Sequence, residues 1–136
     1  MIVPLFADAE DLVVDHLRGR LTDFPDRWSG TPVTAVSSPV REPGADPALT
    51  VHCESAESEP PLTQRATVRV TSWADARDEL KELARLAHAA LLEHPGDTQV
   101  VSVRPVDGVV VDDEGDLADR RASFTVLVTQ RRAARP

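Results

Sequence analysis

The stretch QRATVRVTSWADARDELKELARLAHAALLEH, Gln64 to His94, changes its period once, and that change decides the fold. From Gln64 to Thr71 the residues alternate. Ala66, Val68 and Val70 point one way; Arg65, Thr67, Arg69 and Thr71 point the other. A period of two with one apolar side is a strand with one buried face. Ser72 then opens a helix. With Asp75 three residues on, it makes an S-x-x-D box, in which the serine oxygen accepts an early backbone N–H and the carboxylate sits at the positive helix end. Trp73, Ala76, Leu80, Leu83, Ala84, Ala87, Ala90 and Leu91 follow at helical spacing. His94-Pro95-Gly96 ends the run. A helix from Trp73 to Glu93 would be about 31 Å long.

Upstream, Asp8 caps a first helix to about Leu21, with Glu10 and Asp11 in its acidic first turn. Phe6, Val13, Val14, Leu17 and Leu21 share a face. Leu12 falls about 150° from that face's centre and is a candidate subunit contact. Strands are expected at Val33–Ser37 and Leu49–Glu54, separated by a prolyl link from Ser38 to Pro47. The acidic run Glu54 to Pro61 has no periodicity and reads as a surface loop. Downstream, Val100 to Arg104 is a strand ended by Pro105. Asp107-Gly108 and Glu114-Gly115 read as turns. Ser123 to Gln130 is the last strand, with Phe124, Val126 and Val128 on one face, and residues 131–136 form a short basic tail. Helix, three strands, helix, two strands predicts one α+β domain over residues 1–136. Both helices would pack on one face of a mainly antiparallel sheet of four to five strands.

Length and composition agree with one domain. The chain has 136 residues, 41% of them hydrophobic and only 4% aromatic, so Val, Leu and Ala must build the core. The 23 acidic residues outnumber the 15 Lys and Arg, for a net charge of −8, which disfavours a phosphate-gripping surface. Cys53 is the single cysteine and alternates with Leu49 and Val51, so it reads as a small core residue. No apolar run approaches the ~20 residues of a membrane span. Met1 to Phe6 has neither a basic region nor a cleavage site, so a cytoplasmic start is expected.

Reactive constellations do not emerge. His16, His52, His88 and His94 lack metal-ligand spacing. Asp112 to Asp116 lacks the alternating ligands of a calcium loop and reads as an acidic hairpin turn. There is no G-x-S-x-G and no phosphate-cradling glycine loop. Asp75 and Glu79 are paired carboxylates on an exposed helix face, where nothing would desolvate them for acid–base work. The expectation is a protein without catalysis, metal or cofactor. What remains is surface. Asp75, Asp78, Glu79, Glu82 and Glu93 take one flank of the long helix, and Arg77, Lys81 and Arg85 the other. Such a split suits a head-to-tail contact between copies, which closes into a ring.

The stretch VRVTSWADARDELKELARLAHAALL, Val68 to Leu92, resembles the core of the tail terminator proteins of long-tailed actinobacterial phages, related in fold to the lambda-type tail terminator. The segment Gly108 to Asp113, followed by Arg120 to Val128, is similar to the family's glycine–loop–aspartate segment and its R-x-x-F-x-V-x-V last strand. The resemblance implies a virion protein of the tail–head junction. It would form a ring, expected to hold six copies, that caps the tail tube, ends tube growth and meets the head connector or stopper. DNA would pass through without being held, and an acidic pore wall would suit that. The expected interface residues are Leu12, Asp75, Arg77, Glu79, Lys81, Glu82, Arg85, Arg131, Arg132 and Arg135. The alternatives are another neck protein, a connector stopper or head–tail joiner, and a small cytoplasmic enzyme or ligand-binding domain.

Overall fold

The computed structural model describes residues 6, 8–35, 46–59, 63–112 and 120–131, with the backbone alone at 58 and 59. Helix α1 is Ala9–Arg20, followed by two short 3-10 turns at Leu21–Asp23 and Asp26–Trp28. Strands β1 (Val33–Thr34), β2 (Ala48–Glu59) and β3 (Thr63–Trp73) precede helix α2 (Arg77–Leu92); β4 (Val100–Asp112) and β5 (Arg121–Arg131) follow it. The sheet order is β1-β2-β3-β5-β4, antiparallel except for the β1–β2 pair. This is the expected α+β fold. The strands flanking α2 are not neighbours, because β5 lies between them.

The core forms where the helices meet the sheet. Alternation on β3 buries Ala66, Val68 and Val70, and alternation on β5 buries Phe124, Val126 and Val128. Leu80, Leu83, Ala87 and Leu91 of α2 and Val13 and Leu17 of α1 cover them. Each large apolar side chain withdrawn from water contributes about 1.5–3 kcal/mol. Asp8 caps α1 as expected, accepting from the N–H groups of Glu10 (2.8 Å) and Asp11 (3.4 Å).

The structure moves several boundaries. The long helix starts at Arg77, four residues later than the capping box suggests, and its N-cap residue Ala76 offers no side-chain bond. Its 16 residues span about 24 Å. Strand β3 runs on through Ser72 and Trp73, because neighbours on both sides hold it: Trp73 lies opposite Ala48 of β2 and Arg121 of β5. Two ladders outweigh one local box. Ser72 is fully buried and donates to the Leu80 carbonyl at 2.7 Å, so it ties β3 to α2 instead of capping it. Trp73 points to the opposite sheet face, donates from Nε1 to Thr50 Oγ1 at 2.9 Å, and lies under the Arg121 guanidinium. It is 3% exposed yet outside the main core.

Strand β2 also outruns its expected end. Glu54 to Glu59, read as loop, pair with β3 after a register shift between Cys53 and Ser55. Opposite charges across the ladder explain this: Glu57 faces Arg65, and Glu54 meets Arg69 at 2.6 Å. Pro105 does not end β4, which continues to Asp112 and takes in Asp107-Gly108. β4 is an edge strand, where a missing N–H can face solvent. Its register breaks on both sides of Asp107 absorb the proline and the glycine. Residues 36–45, 60–62, 113–119 and 132–136, with the expected link, loop tip, acidic turn and tail, lie outside the described residues.

Candidate functional site

The outward side of α2 is the surface the sequence singles out, and the structure sorts its charges. Glu82 is paired with Arg27 of the second 3-10 turn. Glu93 takes Arg20 Nη2 at 2.7 Å, while Arg20 Nε holds Asp23 at 2.8 Å. Those two glutamates face the α1 side and are neutralised within the molecule. Asp75 precedes the helix, and its carbonyl accepts from Arg120 Nη1 at 3.0 Å; Asp75 and Arg77 have further partners of their own. Glu79 lies half-buried in the first turn of α2, whose positive end it complements.

Lys81 and Arg85 differ. Neither has a hydrogen-bond or ion-pair partner among the described residues. They line, with Asp78, Glu82 and Leu86, an open depression of about 330 Å³. Leu12, expected to stand off the core, is half-buried and packs against it. Arg131 is likewise part of the fold. Its N–H donates to Gln99 O at 2.8 Å and its guanidinium to the carbonyls of Val100 (3.0 Å) and Asp97, so it clips the α2–β4 connection instead of starting a loose tail. Arg132 and Arg135 lie outside the described residues.

Compared with known protein families and curated proteins, the chain matches no family model and no curated sequence.

Two features escaped the sequence reading. The first is an exposed apolar edge. Val101, Val106 and Val110 of β4 are 39%, 52% and 63% exposed, on a strand whose one neighbour among the described residues is β5. The signal was in the sequence, but ending the strand at Pro105 hid it. The second is the meeting of His16 and His94, 78 positions apart, with ring centroids 4.5 Å apart. His16 Nε2 donates to Ala90 O at 2.8 Å, and His94 Nδ1 accepts from the Gly96 N–H at 2.9 Å. Burial, with the neighbouring His16 adding, holds the His94 pKa below its ordinary value against the pull of Asp97. Partial burial works to raise the Asp97 carboxyl. The N–H groups of Gln99 and Val100, both at 2.8 Å, with His94 and Arg131, outweigh that and leave it low.

The remaining reactive groups are structural in setting. His88 packs against the Phe124 ring at 4.6 Å, and burial lowers its pKa. Cys53 is half-buried against the core; burial first, then Glu10, raises its pKa. Glu10 also accepts the Cys53 N–H at 2.7 Å, fastening α1 to β2. Among the described residues no group of three or more His, Cys, Asp or Glu could hold a metal ion, and no helix is long and apolar enough to cross a membrane.

Proposed function

We propose that this chain is a structural protein of a phage tail, a terminator that assembles into a ring on the finished tail tube. The observation that carries this reading is two surfaces open to contact among the described residues: a pair of cations without partners one turn apart on α2, and an edge strand that shows three valines to solvent. Valines on an unpaired edge invite association. The resemblance of Val68 to Leu92, of Gly108 to Asp113 and of Arg120 to Val128 to tail terminators supplies the setting. In that setting six copies surround the DNA path. One side of the ring meets the tube protein and the other the head connector or stopper.

The test is assembly. Native mass spectrometry and negative-stain imaging of the purified chain, alone and with tail tubes, should show rings. Monomers under both conditions would overturn the proposal. Removing the gene should give overlong tails; tails of normal length that fail to join heads would assign the chain to head–tail joining instead.

A further inference from the structure

Resting on the ring reading, the surfaces go further and name the two sides of the contact between copies. Lys81 and Arg85 sit four residues apart on α2, about 6 Å along the axis. At 100° per residue they lie on the outward side of Glu82 and Glu93, which meet Arg27 and Arg20 from the α1 side; Glu82 shares the depression's rim with them. On the acidic flank of α2, Glu82 and Glu93 are already paired, Asp75 lies before the helix with partners of its own, and Glu79 is half-buried; Asp78 lines the same depression as Lys81 and Arg85, so it belongs to their surface and not to an opposing one.

The matching acids are on α1. Asp11 and Asp15 are exposed, four residues apart, and their carboxylates have no partner among the described residues. On α1, His16 reaches Ala90 of α2, whereas Arg18 reaches Val33 of β1 at 2.7 Å on the other side. At helical spacing Asp11 and Asp15 fall beside Arg18, on the flank away from α2. The acid pair and the cation pair thus lie on opposite flanks of the helix layer, with equal spacing and opposite charge. The depression around Lys81 and Arg85 has a net charge of +1 when Arg27, Glu82 and Asp78 are included, in a chain of net −8.

We infer that copies of this chain join head to tail, with Asp11 and Asp15 of one copy's α1 seated on Lys81 and Arg85 of the next copy's α2. A contact between different surfaces leaves one of each free at either end, which is the condition for ring closure. Solvent-exposed ion pairs are individually weak, so these four charges set register and exclude misaligned neighbours. Leu86, lining the same depression, supplies apolar contact.

The experiment uses two charge-reversed full chains, K81E/R85E and D11K/D15K, and reads ring mass by native mass spectrometry. Wild type should form rings. Each variant alone should lose at least tenfold in ring population while keeping the wild-type melting temperature. An equimolar mixture should recover rings of alternating copies, because the reversed α2 of one variant meets the reversed α1 of the other, and the two native surfaces meet each other. Rings that persist in either variant, or a mixture that fails to recover, would overturn this contact and leave the ring reading standing. Wild type that never forms rings, even on tail tubes, would overturn both.

Discussion

Gly96 is the residue on which the α2–β4 connection turns. Its φ is +85°, and a Cβ there would lie 2.9 Å from the Val101 carbonyl oxygen, a backbone atom with little room to move. G96A adds that clash to the cost of a left-handed backbone, about 1 kcal/mol or more; thermal unfolding should show a clear drop in Tm. The adjacent His94 carries the pH response. Its pKa is lowered in the fold, so the unfolded chain binds the extra proton more readily. Stability is then full above the ordinary histidine value near 6.5 and falls as pH drops through it. His88, lowered by burial, acts in the same direction. Tm is expected to decline between pH 7.5 and 5, and H94N, whose amide oxygen can accept the Gly96 N–H, to flatten that slope. This part was invisible in the sequence, where His16 and His94 are separate, because only packing of α1 on the end of α2 brings the rings together.

Helix α2 begins without a side-chain cap. Ala76 has the extended backbone of a cap residue, φ −93° and ψ 133°, but no oxygen to offer the first N–H groups. A76S or A76D should therefore raise stability by about 1 kcal/mol, measured as a shift in the denaturant midpoint at constant m. If the helix began at Trp73, as the S-x-x-D pattern suggests, Ala76 would be inside it and the change would be neutral or unfavourable. Ser72 gives the complementary test. Its buried hydroxyl joins β3 to the Leu80 carbonyl, so S72A should cost about 1 kcal/mol or more, and A76S should not offset it if the two positions act in different places. The period of β3 and the apolar stripe of α2 were legible. The handover between them was not, since hydrogen bonding to β2 and β5 on both sides extends a strand beyond what its own residues favour.

Across the whole molecule, charge is unevenly spread. Acidic groups near the α1–α2 seam are absorbed by Arg20 and Arg27, while Lys81 and Arg85 remain open on the outer flank. Assembly that depends on such exposed charges should weaken with ionic strength, because screening at high salt shortens the reach of each pair. Sedimentation velocity at low and at ~0.5 M salt is expected to show the ring boundary shrinking in favour of monomer. An assembly indifferent to salt would place its energy in the valine edge of β4 instead, and V110K would then be the disruptive change.

The chain's own residues determined two things: the layer arrangement, because periods of two and 3.6 each fix which side chains can be buried together, and the acidic, aromatic-poor surface. Tertiary structure decided the rest. It chose how far β2, β3 and β4 extend, since ladder bonds come from strands distant in sequence. It also decided which charges are spent inside the molecule and which stay open, because that depends on who stands opposite, and helical spacing alone cannot say.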